Sequence, residues 1–311
     1  MTHSENIFFH KTDNSRRKFI ASVGMIAGAE VLLSIPFVSK AANFITPTET
    51  VTVGDIMNRF IKDVPGGVLK ETVDTLKSGS ADMKVKGIVT TMFATVEVIK
   101  KTIALDANFI IAHEPTFYNH EDDVAWLKGD AVYQYKLDLL KQNNITVWRN
   151  HDYIHRLVPD GVTMGILEQL DWKKYSEKSL PNLINIPSVS LKELIGYLKT
   201  KLGIEQVRFI GDVNQTCKKI LFEPGAAGRN MQIGGIRQYK PDVLICGEIS
   251  EWETAEYVRD ARAKGDAVSL IVLGHIASEE PGSTFMLNWL KEKFPSIKST
   301  HIPAGNSLSF L

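Results

Sequence analysis

An α/β fold with mostly parallel strands is the architecture this sequence predicts, and three observations carry that expectation. From Lys86 onward, short β-branched runs alternate with longer stretches of helical periodicity, the rhythm of strands joined by crossover helices. The 311 residues, 44% apolar and 23% charged, suffice for one large core or two small ones. Beyond Val38 no apolar run approaches the roughly 18 residues of a spanning helix, so everything after that point is expected to fold in water.

Taken in order, the chain begins with "SRRKFIASVGMIAGAEVLLSIPFVSKAAN", in which Arg16, Arg17 and Lys18 precede a mildly apolar run from Phe19 to Val38 that ends near Ala41 and Ala42. That is the pattern of a twin-arginine signal peptide. Glu30 near the middle of the run makes it a poor permanent anchor, because a carboxylate at the bilayer centre costs several kcal/mol. Residues 1–42 are therefore expected to engage the twin-arginine export machinery and be removed, leaving an exported or periplasmic protein with no membrane attachment. Their removal takes away five Lys/Arg and three Asp/Glu from a chain of formal charge +0, which leaves −2. Such a balance offers no basic field to nucleic acid or acidic lipid, and a small-molecule substrate is the expected partner.

Next comes an amphipathic helical pattern in "VGDIMNRFIKDV". The candidate strands that follow are "KGIVTTM", "NFIIAH", "ITVWRN", "QVRFIG", "KKILFE", "DVLICG" and "VSLIVLG", with "STHIPA" a weaker last one. Helical patterns cover residues 94–105, 126–142, 162–171, 190–202, 251–264 and 283–294. The proline- and serine-rich stretch "SEKSLPNLINIPSVS" reads as a linker, which divides residues 43–311 into lobes of about 51–180 and 186–311. Only Cys217 and Cys246 occur; neither a disulfide nor a thiolate metal site is expected from one pair at that spacing.

In open α/β sheets ligands bind beyond the carboxyl ends of the strands, and here those ends are polar. "NFIIA" ends in His113 and Glu114, and "ITVWRN" in His151 and Asp152 with His155 one turn on. "DVLICG" ends in Glu248, and "SLIVLG" in His275 with Glu279 four residues later. Imidazole and carboxylate together suit a divalent transition-metal site, Zn, Mn, Fe or Ni. His120, in the loop "YNHEDD", is open between solvent and site, and His301 reads as structural. The glycine-rich "EPGAAGRNMQIGG" matches neither phosphate-binding fingerprint; it reads as a tight turn into a helix, with Arg229 available to an anion if the turn faces the site.

The succession "VTTMFATVEVIKKTIALDANFIIAHEP", "NHDYIHRLVPDGV", "CGEISEWETAEYVRDARAKG" and "VLGHIASEEPG" resembles the Nif-three-like dinuclear metal-centre proteins over about residues 51–305. The resemblance implies a two-lobed fold with mostly parallel mixed sheets, a ring-shaped homohexamer, and two adjacent metal ions facing its internal cavity. In the family's first motif two consecutive histidines bind metal; here those positions hold His113 and Glu114. The second motif, H-T-N-L-D with a ligand aspartate, here runs from His151 to His155 and puts His155 at the ligand position, with Asp152 as the alternative. The last motif, G-H-x-x-S-E, is unchanged and gives His275 and Glu279. The family's inventory of three histidines and two carboxylates is thus kept with two positions exchanged.

The activity implied is metal-dependent hydrolysis of a phosphoester, nucleotide fragment or cyclic amide. His151, Asp152 or Glu248 would move the proton; orienting the imidazoles is an equally good use of Asp152 and Glu248. GTP, to which the family is linked by name, is not the substrate expected of an exported protein. A non-catalytic metal-handling protein would use the same ligands.

Overall fold

The computed structural model describes residues 50–309 and 311; the expected signal peptide lies outside the described residues. Thr52 opens helix α1 (Val53–Ile61) with a capping box, its hydroxyl accepting from Asp55 N–H at 3.2 Å while the Asp55 carboxylate accepts from Thr52 N–H at 2.9 Å, two otherwise orphaned donors satisfied at once. There follow β1 (Leu76–Ser78), β2 (Ile88–Thr91), α2 (Val96–Ala104), β3 (Phe109–Ala112), α3 (Ala131–Gln142), β4 (Thr146–Arg149), α4 (Asp152–His155) and α5 (Gly161–Gln169). The second half carries β5 (Ser176–Glu177), β6 (Leu180–Ser190), α6 (Leu191–Leu202), β7 (Arg208–Ile210), β8 (Thr216–Glu223), α7 (Gly228–Tyr239), β9 (Val243–Cys246), α8 (Glu256–Ala263), β10 (Ser269–Val272), α9 (His275–Lys293) and β11 (Ser299–His301).

These strands form two mixed sheets, ordered β1-β4-β3-β2-β11 and β5-β6-β8-β9-β10-β7. β2, β3, β4 and β11 run parallel in the first, and β8, β9 and β10 in the second; the antiparallel pairings are β1 with β4 in one sheet and β5 with β6, β6 with β8 and β7 with β10 in the other. The central parallel strands β2, β3, β4, β9 and β10 are buried at every residue, because helices cover both faces; β3 and β9 are accordingly continuous apolar runs.

The supposed linker is a strand. β6 pairs antiparallel with β8, and its register shifts between Asn185 and Val189, around Pro187. A proline cannot donate to the ladder, and a bulge is where a sheet tolerates one; reading proline and serine as linker signals missed this.

The expected boundary between lobes also needs correction. β11 returns to the first sheet beside β2, so the second lobe does not own residues 186–311. α9, about 28 Å long at 1.5 Å per residue, leaves the end of β10 and carries the chain back to the first sheet. It begins at His275, well before the expected 283, with Pro281 inside it; a proline read as a breaker hid the first two turns.

α5 and α9 pack against one another and serve both cores. Val162, Met286, Trp289 and Leu290 join the cluster around Phe60 and Trp148, whereas Ile166, Leu167 and Leu170 join the one against the second sheet. Their crossing is close, since a Cβ on Gly165 would stand 2.3 Å from the Pro281 carbonyl oxygen. Phe60 meets Trp148 and Trp289 edge-on at 5.9 and 4.9 Å between ring centroids, contacts worth roughly 0.5–1.5 kcal/mol each beyond area burial. Cys217 and Cys246 are buried free thiols. Trp126 and Tyr135, aromatic residues within the 126–142 pattern, are exposed.

Candidate metal centre

The carboxyl ends of β3, β4, β8, β9 and β10 open on one cleft of about 1660 Å³, and backbone hydrogen bonds carry the ladders past the last strand residues into the site. His113 N–H reaches Thr91 O at 3.1 Å, Glu114 N–H reaches Met92 O at 2.8 Å, and Asn150 N–H reaches Ala112 O at 2.9 Å. On the other sheet Glu248 N–H donates to Gly225 O at 2.8 Å and Gly274 N–H to Gly247 O at 3.0 Å. The functional side chains therefore stand on fixed backbone.

Four imidazoles converge with two buried carboxylates. Each ring has its Nδ1 already engaged: His113 with Asn150 O at 3.2 Å, His151 with Asp152 Oδ1 at 2.9 Å, His155 with Asp160 Oδ2 at 2.8 Å, and His275 with Glu248 Oε1 at 2.8 Å. This is how ligating histidines are held, by an acceptor that fixes ring and tautomer and leaves Nε2 free. His275 Nε2 lies 3.0 Å from Glu279 Oε2 and 3.2 Å from Glu114 Oε1; His151 Nε2 lies 3.7 Å from the same Glu114 oxygen.

His113 Nε2 is fully buried and has no hydrogen-bond partner among the described residues, with Glu279 Oε2 3.4 Å away. An unpaired buried nitrogen costs about 1–3 kcal/mol, a cost that a bound cation removes. Two groups bring one donor atom per residue within 4.8 Å of each other, His113 with His151 and His155, and His113 with Glu114 and Glu279. By donor chemistry and by this orphaned nitrogen, the residues fit divalent metal ions.

The proton preferences describe the same demand for positive charge. Burial alone would push His275 down, yet its hydrogen bonds to Glu114, Glu248 and Glu279 hold it up to about 12. Burial opposes ionisation of Glu279 and Glu114 too; the neighbouring imidazoles overcome it and hold both below the usual carboxylate range. His151 goes the other way, down to about 4, through burial and the charge of His113, which leaves its Nε2 lone pair open at neutral pH.

Asp152 and Glu248 do not stand free for proton transfer. Asp152 holds His151 Nδ1, and its other oxygen accepts from Thr72 Oγ1 at 2.8 Å and Val73 N–H at 3.1 Å. Asp74 accepts from His151 N–H and Tyr153 N–H, both at 2.8 Å, and so fixes the start of α4. Glu248 holds His275 and remains partly exposed.

Several supporting residues were not singled out from sequence. Arg149, fully buried at the end of β4, donates to His113 O at 3.3 Å and Glu114 Oε2 at 3.2 Å, and also to the His120 carbonyl. It neutralises Glu114 where the resemblance leads one to expect histidine, and leaves Oε1 facing inward. Its place at a strand end, in "TVWRN", was the available signal.

Glu223 closes β8 in the same way. Its carboxyl lines the cleft, accepts from Asn182 Nδ2 at 2.9 Å, and is raised by burial to about 7. Gly225, at φ +58°, gives the Glu279 carboxylate its space, because a Cβ there would stand 2.2 Å from Oε1. Arg229, by contrast, pairs with Glu253, and its loop enters α7 as the tight turn expected. His120 lines the cleft with its ring edge-on to His151 at 5.5 Å. His301 pairs with the Thr90 carbonyl at 3.0 Å.

The family profile described as Duf34/NIF3 (NGG1p interacting factor 3) matches residues 52–305. A Clostridium perfringens protein named GTP cyclohydrolase 1 type 2 homolog is 25% identical over 256 residues, covering 78% of this chain and 93% of that protein. Its Pyrococcus abyssi namesake is 26% identical over 222 residues, covering 69% and 83%. Among solved structures, a Staphylococcus aureus hypothetical protein aligns with TM-score 0.67 at 21% identity over 85% of this chain and 99% of its own. A Bacillus cereus protein related to NIF3 aligns with TM-score 0.64 at 14% identity, over 84% and 98%. The solved relatives share the mixed α/β architecture built above, and on the profile match the chain belongs to the Duf34/NIF3 (NGG1p interacting factor 3) family.

Proposed function

We propose that this protein is an exported metal-dependent hydrolase of a small molecule, with His113, Glu114, His155, His275 and Glu279 holding two divalent ions. The observation that carries the reading is the convergence of Nδ1-anchored imidazoles and two buried carboxylates at the edge of a cleft of about 1660 Å³, large enough for a substrate. Divalent ions bound there would polarise a substrate oxygen and lower the pKa of water toward about 7. The chain supplies the rest. Arg149 aims Glu114, Asp160 and Glu248 orient His155 and His275, and Glu223 in the cleft wall is poised to exchange a proton at neutral pH.

The curated relatives carry a cyclohydrolase name, which favours a cyclic amide beside phosphoesters and nucleotide fragments. The cleft is lined by Glu97, Glu177, Glu223 and Glu248 against Lys136 and Lys178, and Lys136 already donates to Thr116 O at 2.6 Å. A nucleoside triphosphate meets little complementary charge on those walls. A non-catalytic metal-handling protein would share the ligands, and the wide cleft is the feature that favours the enzyme. Family membership supports a homohexamer, and the Arg16–Arg17 leader supports export, by a route suited to a protein loaded with metal beforehand.

Metal counting by plasma mass spectrometry tests the reading, on protein recovered from the exported fraction without chelator. About two transition-metal equivalents per chain are expected, with turnover sought first on phosphoesters. Glu279→Gln should lose metal and turnover together. A wild-type count of one or none would sink the dinuclear centre, and full metal loading in Glu279→Gln would remove that residue from it. Absence of the protein from the exported fraction would overturn the localisation.

A further inference from the structure

His151 is built into the centre in the manner of a ligand. Its Nδ1 is tied to Asp152 at 2.9 Å, and its ring lies 4.9 Å from those of His113 and His155, which are themselves 5.1 Å apart. The three rings bring donor nitrogens within 4.8 Å of one another, and Nε2 of one of those rings, His113, is buried with no hydrogen-bond partner among the described residues. Across the centre the donors differ in kind: Glu114 Oε1 and Glu279 Oε2 flank His275 Nε2 at 3.2 and 3.0 Å.

We infer that His151 is a metal ligand and that the two metal positions are chemically unlike. One is an all-imidazole position of His113, His151 and His155, suited to a borderline ion such as Zn²⁺. The other is a carboxylate-rich position of Glu114, Glu279 and His275, suited to a harder ion such as Mn²⁺. The inference rests on the metal-dependent reading above and refines it.

Three neutral imidazoles leave the ion its full charge and match its softer preference, whereas two carboxylates neutralise a harder one. Arg149 sharpens the contrast by occupying Glu114 Oε2 at 3.2 Å, which leaves that carboxylate a single inward oxygen. Glu279 Oε2, 3.4 Å from His113 Nε2, stands where the two positions meet.

The test is competitive loading of the metal-stripped full chain with Zn²⁺ and Mn²⁺ together, counted by plasma mass spectrometry, with bound Mn²⁺ read by electron paramagnetic resonance. With Zn²⁺ held at one equivalent per chain and Mn²⁺ in excess, one equivalent of each is expected. His151→Gln should weaken Zn²⁺ binding by about 100-fold or more, beyond what loss of an outer-shell contact does, and leave the Mn²⁺ signal in place; Glu114→Gln should do the reverse. X-ray absorption at the zinc edge of the wild-type chain, which needs no variant to fold, should count three imidazoles.

A count of two or fewer would overturn the inference. So would wild-type Zn²⁺ affinity in a folded His151→Gln, even with turnover reduced, since His151 would then be moving protons. Loss of both ions together in either variant would mean one coupled centre, and also overturns it. If the wild-type chain takes up neither ion, the metal-dependent reading falls first, a result distinct from all of these.

Discussion

Glu223 shows how one buried group turns local packing into a pH dependence. Burial raises its carboxyl to about 7 from an ordinary 4.5, and the hydrogen bond from Asn182 only partly offsets that. As pH rises from 4.5 the unfolded chain releases this proton first, so folding loses stability up to about pH 7 and levels off above it. The slope is at most ~1.4 kcal/mol per pH unit, which caps the loss on the order of 3 kcal/mol. Glu223→Gln should therefore gain stability relative to wild type between pH 5 and 7.5 in urea unfolding at matched metal content. A constant difference across that range would show that the carboxyl ionises normally. The same substitution should flatten the neutral-pH limb of any activity profile if Glu223 exchanges the proton.

Among the elements, α9 does the most to assemble the site. Its first turn carries His275 and Glu279 at i and i+4 on one face, and Ser278 Oγ accepts from Gly225 N–H at 3.0 Å while donating to His275 O at 2.7 Å. That turn is thereby tied to the end of β8. Further along, Pro281 and Gly282 cross α5 at Gly165 and Val162. Gly165→Ala puts a methyl within 2.3 Å of the Pro281 carbonyl and must push the helices apart, an overpacking cost of about 1–3 kcal/mol. A lowered melting temperature is expected together with reduced metal content, because the movement passes along α9 to His275 and Glu279. Unchanged metal content in the destabilised variant would show the first turn of α9 to be held by its contacts with β8 alone.

At the scale of the whole molecule, the proposed hexamer predicts a sedimenting species of about six chains, and a monomer would refute it. Much of the architecture was legible beforehand, because it rests on local patterns. Continuous apolar runs mark strands buried on both faces, and polar residues at their carboxyl ends mark the edge where a ligand binds. Those patterns named all four imidazoles of the centre and both of its buried carboxylates, and the alternation of strands and helices gave the α/β class. What stayed hidden depends on contacts between distant segments. That Arg149 neutralises Glu114, that Asp74 holds the start of α4, and that Gly225 gives Glu279 its space follow from which segments the sheets set side by side, which periodicity does not encode. The strand around Pro187 and the early start of α9 were obscured because a proline reads as a breaker until a bulge or a helical turn accommodates it. Which groups face each imidazole was decided by the tertiary structure, as where Glu248 holds His275 Nδ1 and Glu114 reaches its Nε2, a matter of ångströms between residues far apart in the chain.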